Sequence, residues 1–491
     1  MELGLGRLWM NTITMLAVSI FVFIVIIRRL NGWYYALKLR RKNQYSVPPG
    51  DMGWPFVGNL VPFMRAFLYG NPDTFINNLV FKYGRTGIYK THLFGNPSII
   101  VCEPYMCRKV LTDDEHFGLG YPKAVTNLMP SLFINTNEHK RFRRLIFPPI
   151  IGHKALAMYV ERIEDNVIRS LEEMSSLKHP IEFLKEMKNV TFKVIIDIFL
   201  GPENQYIVNK IGGLVNELLD GFFCLPVDLP GSVYHKALKA REKLRSILQP
   251  IVEERRMIMN SGLREGKKDL ADILLEIKDE NGKKLENENI VDLLLAFLAA
   301  GHDTTATALT WIVIYLTDHP EIMKKAKDEQ EEILRTRQPS QKQIDIKEIK
   351  QMVYLAKVID ETLRLTNVSF SAFRKAMTDV DINGYIIPKG WRVLIWQRAV
   401  HMDPANFQNP QEFNPSRWDD YNGKAGSFSP FGAGSRLCVG MDLAKLEISI
   451  FMQYFLNNYK LERLNPNCGI TSLPIPKPVD GCLAKVIRIY Q

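Results

Sequence analysis

Residues 8–27 run for twenty positions without a single charge, and this restricts the chain more than any other feature. At 1.5 Å per residue a helix of that length covers about 30 Å, the hydrocarbon thickness of a bilayer. A backbone in lipid must satisfy its own hydrogen bonds, so the segment is predicted to be helical. A cleaved secretory signal is the competing reading, but the run is longer than a usual apolar signal region and no small-residue cleavage site comes after it. Instead come Arg28, Arg29, Lys38, Arg40, Arg41 and Lys42, against only Arg7 and Glu2 before the run. That asymmetry places the bulk of the protein on the cytosolic side of an uncleaved anchor. No Gly/Ser linker, repeat or low-complexity stretch divides the rest of the chain. The expected organisation is therefore an anchor (1–30), a basic and proline-rich hinge (31–60) and one large domain (61–491).

A cytosolic body settles smaller questions. The six cysteines, Cys102, Cys107, Cys224, Cys438, Cys468 and Cys482, sit in a reducing compartment, which argues against a disulfide framework. Cys102 and Cys107 have no matching pair elsewhere, so neither a zinc nor an iron–sulfur site is expected. The sequons at Asn189 and Asn367 should remain unglycosylated. The net charge of +10 is spread along the chain without a nucleic-acid module, which favours anionic lipid or an acidic protein partner over nucleic acid.

"SVPPGDMGWPFVGNL" (46–60) carries three prolines and three glycines, which preclude a continuing helix. "TGIYKTHLFGNPSIIVCEP" reads as a β-hairpin about a Gly-Asn-Pro turn. From about Ala155 to Thr336 the pattern is mostly helical, interrupted by "REGKKD" (264–269) and by the "DENG" turn at Asp279. Short strands return between Val380 and Ile395. The sum is mainly α with a minor β portion drawn from distant segments. One helix, from about Asn287 to Thr317, is apolar almost all round, as a helix through a protein's centre should be. His302 and Asp303 near its midpoint would be costly in lipid, which argues against a second membrane span.

Three groups of residues carry chemistry. Asp303 and Thr304 lie on that central helix; a buried Thr hydroxyl bonds back to the carbonyl of Ala300, and with Gly301 beside it the local ladder is weakened. The pair reads either as a satisfied polar cluster or as a proton relay, a hydroxyl plus a carboxylate at a cavity wall. Glu361 and Arg364 share one helix face, a spacing that on a surface contributes only about 0.3–0.5 kcal/mol. In "FSPFGAGSRLCVG" (428–440) a lone Cys438 sits among Gly432, Gly434 and Gly440, two residues after Arg436. A thiolate is a soft-metal ligand that needs positive surroundings, and glycines allow close approach to a flat surface. A buried structural cysteine is the alternative. A phosphate loop fits poorly, since the third glycine of a dinucleotide fingerprint and the Gly-Lys-Ser/Thr of a P-loop are both missing.

Jointly, Phe431-x-x-Gly434-x-Arg436-x-Cys438-x-Gly440, Glu361-x-x-Arg364, Ala300-Gly301-x-Asp303-Thr304 and "FNPSRW" (413–418) resemble the cytochrome P450 pattern from end to end of the chain. The resemblance implies a P450 fold behind an N-terminal transmembrane helix at the endoplasmic reticulum membrane. It implies a b-type haem with Cys438 as axial thiolate, whose electron push favours O–O cleavage. Phe431 would pack beneath the haem, Gly432 and Gly440 would give it room, and Arg436, Arg374 and Arg143 would answer its propionates. Glu361, Arg364 and Arg417 correspond to a buried ion network, and Thr304 with Asp303 to the proton delivery pair. His139 stands where a Trp is usual and would still donate to a propionate. The usual prolines are missing from "LTNVSFSAFR" (365–374), so pocket shape does not carry over. Val439 comes after the cysteine where a smaller residue or proline is common, with no change of ligand expected.

"PPGDMGWPFVGNL", "RVLIWQRAVHMD" and "AGSFSPFGAGSRLC" are similar to the plant ent-kaurenoic acid oxidases, and "NGWYYALKLRRK" and "SIIVCEP" to their legume branch that oxidises β-amyrin at C-11. The implied reaction is monooxygenation of a hydrophobic terpenoid: β-amyrin hydroxylation followed by ketone formation, or oxidation of a diterpene acid toward gibberellins. Stretches expected to line the pocket carry one cation, Lys123, and no carboxylate clamp, which leans toward the neutral hydrocarbon. The non-enzymatic alternative is a membrane-tethered haem or sterol binder. No flavin or nicotinamide motif is present, so electrons are expected from a separate NADPH-cytochrome P450 reductase, docking at Lys140, Arg141 and Arg144.

Overall fold

The apolar run is helical, and its helix does not stop where the positive charges begin. In the computed structural model, which describes residues 2–40, 46–133, 136–202, 207–262, 268–278, 282–338, 340–341 and 343–489, this helix spans Glu2–Arg40. From Ile13 to Ile26 its apolar side chains are exposed, the surface a bilayer would cover, and Ile13–Leu39 meets the length and hydropathy of a membrane span. Past the charges the helix is fastened. Asn31 Nδ2 donates to the carbonyls of Met52 (2.8 Å) and Trp54 (3.2 Å), and the Tyr35 ring meets Trp391 edge-on at 5.7 Å.

The contacts divide the chain into two units. The smaller one comprises Met1–Gly120 and Ser371–Ala399 and holds a five-stranded sheet. Its strands run in the order Ile88–Leu93, Asn96–Val101, Arg392–Ile395, Ala372–Ala376, Phe117–Leu119, with one parallel pairing, between Asn96–Val101 and Arg392–Ile395. The expected hairpin is present, but its turn is Phe94-Gly95, both at positive φ (50° and 73°). Asn96 and Pro97 already belong to the second strand, opposite Leu93 and His92. Pro97 has no N–H to donate and sits at the strand's start, where that lack costs least. Phe63, Phe67, Phe75 and Trp396 form an aromatic core with ring centroids 4.5–6.1 Å apart.

The larger unit, Tyr121–Phe370 with Val400–Gln491, is mostly helical. Its centre is the expected long helix, Asn287–Asp318, ended before Pro320, the first residue of the next helix Pro320–Thr336. Helices Phe183–Leu200, Val233–Asn260, Val353–Thr366 and Met441–Asn458 pack around it, which explains its all-round apolar sequence. A three-stranded sheet joins Ile181–Glu182, Leu483–Arg488 and Tyr459–Arg463. The interruption expected at 264–269 and the turn expected at Asp279 lie largely outside the described residues.

Candidate active site

Three threonines of the central helix donate to the carbonyl one turn back: Thr304 to Ala300 (2.8 Å), Thr310 to Ala306 (2.8 Å) and Thr317 to Val313 (2.7 Å). Back-bonding alone therefore marks nothing. What sets Thr304 apart is exposure: Ala300 and Thr304, four residues apart on one face, are open in a stretch where nearly every neighbour is buried. Leu293, Phe297 and Gly301 beside them are half-buried. The helix thus shows one uncovered stripe along an otherwise covered length. On its other side Gly301 is approached so closely by Ile195 that an added Cβ would lie 3.0 Å from the Ile195 Cδ1 atom. The glycine lets the two helices touch.

Asp303 is buried and forms an ion pair with Lys188 of the neighbouring Phe183–Leu200 helix. Thr191 Oγ1 donates to the His302 carbonyl at 3.1 Å, tying the same two helices together. Burial pushes His302 down to about 4, so its ring is neutral at physiological pH despite the opposing pull of the Asp303 carboxylate. Lys188 was invisible to sequence reasoning. A lysine between the buried Met187 and Val190 of an apolar helix was the signal available.

Cys438 lies three residues ahead of helix Met441–Asn458, in a loop turned by Gly432 and Gly434 at φ +78° and +72°. The loop is closed by the Cys438 N–H donating to Phe431 O (2.9 Å). The Cys438 thiol is open on one side, and beside it Gly440 has nothing within 4 Å of where a Cβ would stand. On its other sides protein crowds it, and burial raises its pKa. The N–H groups of Gly440 and Met441 and the Arg143 guanidinium pull the other way, but burial wins. The positive surroundings expected from the sequence are therefore present yet insufficient by themselves to hold a thiolate. A bound metal cation would reverse that balance outright.

Arg143 is on helix Thr136–Ile151, with His139 one turn before it and the Phe147 ring one turn after at 5.5 Å. Its Nη1 donates to the carbonyls of Ser435 (3.0 Å) and Leu437 (2.7 Å). Arg143 thus clamps the cysteine loop directly, a role the sequence did not suggest. Arg436 closes the short 3₁₀ turn Gly434–Arg436, and Phe431 carries the Lys445 ammonium 5.8 Å from its ring centroid. Arg374 belongs to the smaller unit, where it is buried in strand Ala372–Ala376.

The Glu361–Arg364 pair is no surface contact: both side chains are fully buried. Arg364 donates from Nε and Nη2 to the two Glu361 oxygens, each at 2.9 Å, a bidentate geometry. Glu361 also accepts from Arg417 Nε (2.8 Å), the Asn414 N–H (3.0 Å) and Trp418 Nε1 (3.1 Å). Arg364 Nη1 donates to His401 O (3.0 Å) and Pro410 O (2.7 Å), and His401 Nε2 accepts from the Ser429 N–H at 3.2 Å. Ser429 opens the cysteine loop, so this chain of bonds runs from Glu361 to the neighbourhood of Cys438. His401 was missed because its partner stands 28 residues further along.

A family profile described as Cytochrome P450 matches residues 48–476. The chain belongs to the cytochrome P450 family. It is 64% identical to a β-amyrin 11-oxidase of Glycyrrhiza uralensis over 94% of this chain and 95% of that one. Identity to ent-kaurenoic acid oxidase 2 of Arabidopsis thaliana is 46%, over 99% of both chains. Among solved structures, a retinoic-acid-bound cyanobacterial P450 superposes with a TM-score of 0.80 at 26% identity, covering 91% of this chain and all of that one. This P450 is an oxidoreductase of the monooxygenase class.

The family implies haem, and the larger unit fits one. The open thiol at Cys438, the uncovered Ala300–Thr304 stripe and the space beside Gly440 are what a flat prosthetic group would cover.

Proposed function

We propose that this P450 oxidises a pentacyclic triterpene, β-amyrin at C-11, first to the alcohol and then to the ketone. The 64% identity to β-amyrin 11-oxidase across nearly the whole chain carries this reading. Cys438 would ligate the iron of a b-type haem, with Phe431 beneath it and Gly432 and Gly440 leaving room. Arg436, Arg143, Arg374 and His139 would answer the propionates, Arg143 with the guanidinium nitrogens not engaged by Ser435 and Leu437. When bound, the haem supplies the oxidant that inserts one atom of dioxygen into a C–H bond.

The chain's own residues do the rest. The Arg143 and Arg364 bonds hold the cysteine loop in place, so the sulfur is positioned before any ligand arrives. Thr304, whose hydroxyl donates to the Ala300 carbonyl, stands at the open stripe, and Asp303, one residue before it and paired with Lys188, would pass protons toward that stripe. Leu293, Phe297 and Ala300 offer the hydrocarbon an apolar wall. Lys140 and Arg144, exposed on helix Thr136–Ile151, would meet an acidic NADPH-cytochrome P450 reductase at the endoplasmic reticulum membrane.

The reduced, carbon-monoxide-bound spectrum tests the ligand: a red-shifted Soret band is expected, and its persistence in Cys438→Ser would overturn the assignment. Microsomes supplied with reductase, NADPH and either β-amyrin or ent-kaurenoic acid test the substrate; turnover of the acid alone would replace the triterpene reading. That alternative rests on the 46% relative and on Lys123, exposed at the start of helix Lys123–Leu128. Reduction rates unchanged by charge reversal at Lys140 and Arg144 would sink the docking surface.

A further inference from the structure

Within the smaller unit, the cytosolic end of the anchor helix and the first strand enclose a cleft of about 880 Å³. Four cations, Arg28, Arg29, Lys82 and Lys90, face one carboxylate, Asp51. Asp51 is already shared between Arg28 (3.3 Å) and Lys82 (3.8 Å). Lys90 is different. Half-buried on strand Ile88–Leu93, its ammonium makes no hydrogen bond or ion pair with any described residue, and burial lowers its pKa against the pull of Asp51. Four cations around a single carboxylate that is already engaged by two of them, with Lys90 half-buried and in no ion pair with a described residue, make the cleft a site built for an anion.

The position of the cleft says which anion. Arg28 and Arg29 end the apolar span, where a bilayer gives way to its headgroups, and Trp33 and Tyr34 lie exposed one turn on, as interfacial aromatics do. Val25 belongs at once to the lipid-exposed helix and to the cleft wall. We propose that the cleft holds the headgroup of an anionic phospholipid, its phosphate on Lys90 and Arg29 and its acyl chains along the Val25 side of the anchor. Free phosphate would use the cations but not the apolar flank. This assignment is independent of the substrate reading above.

Full-length holoprotein in phosphatidylcholine nanodiscs, doped with spin-labelled phosphatidylserine or spin-labelled phosphatidylcholine, tests it by electron paramagnetic resonance. The motionally restricted fraction should be several-fold larger for phosphatidylserine. Lys90→Gln should bring it to the phosphatidylcholine level, and so should Gly32→Phe, which fills the cleft from a position with nothing within 4 Å of its added Cβ. Lys38→Gln, on the same helix but outside the cleft, should leave it unchanged. Equal restriction of the two lipids, or equal loss in Lys38→Gln and Lys90→Gln, would overturn the proposal by showing only diffuse attraction to a charged surface. Displacement of the label by millimolar inorganic phosphate would reassign the cleft to a soluble anion. The carbon-monoxide spectrum of each variant reports folding; should Lys90→Gln lose it, Arg29→Gln decides by the same signal.

Discussion

Two long apolar helices dominate this chain, Glu2–Arg40 and Asn287–Asp318, and they meet opposite surroundings. The first leaves its aliphatic side chains from Ile13 to Ile26 exposed, while the second buries most of its side chains in protein. The difference is carried by a few polar positions. Residues 13–27 carry only the hydroxyls of Thr14 and Ser19 as polar side chains, which a helix can satisfy with its own carbonyls, whereas the central helix pairs the Asp303 carboxylate with Lys188 and the His302 carbonyl with Thr191 of a neighbouring helix. Apolar length licenses a helix in either medium. Polar residues that demand specific neighbours choose between them.

The harshest way to break the contrast is to give both helices the same carboxylate. Ile312→Asp, at a fully buried site with no cation provided, should cost at least about 4 kcal/mol and abolish the folded haem signature. Phe21→Asp should leave that signature intact and cost only about 3 kcal/mol of membrane insertion, read by carbonate extraction.

Next in size is the buried imidazole. His302 has a folded pKa of about 4, below its ordinary 6.5, so the unfolded chain binds the extra proton between those values. Its contribution is therefore full above pH 6.5 and lost as the pH falls toward 4, a range of about 3 kcal/mol. Thermal unfolding midpoints should fall across that window, and His302→Gln should flatten the decline.

Smaller effects sharpen the functional side. Thr304→Ala and Asp303→Asn should each lower product formation roughly a hundredfold while the carbon-monoxide spectrum stays unchanged. Lys188→Met, which removes the partner of Asp303, should lower it roughly tenfold and move its pH profile. Equal rates in Thr304→Ala and Thr310→Ala would erase the distinction drawn from exposure. Removal of residues 2–27 should have the least effect on the catalytic unit: solubility changes, and the haem signature does not.

Much of this was legible in the chain because the signals were local or repeated. The span at 8–27, the central helix to within a residue of its end, and the Gly-rich turn about Cys438 are each set by short-range pattern. The strands Ala372–Ala376 and Phe117–Leu119 were not seen, since a strand of three to five residues has almost no period, and the two pair with each other across more than 250 residues. The hairpin turn was misplaced by two residues because Phe94 adopts a positive φ that its bulk disfavours, while Asn96 and Pro97 look like turn residues. At the site, residue types were readable and their partners were not. Lys188, His401 and the Arg143 clamp act across 115, 28 and 292 to 294 residues of chain, distances at which one sequence carries no spacing signal.

Asn31 has a mechanical consequence. Its two bonds, to Met52 and Trp54, pin the anchor helix to the next segment of the chain. A tether free to swivel would let the unit it carries present any side to the plane of the membrane. A pinned one removes that rotation. An encounter with another membrane-borne protein then becomes a search over position in two dimensions, with the angle of approach settled beforehand.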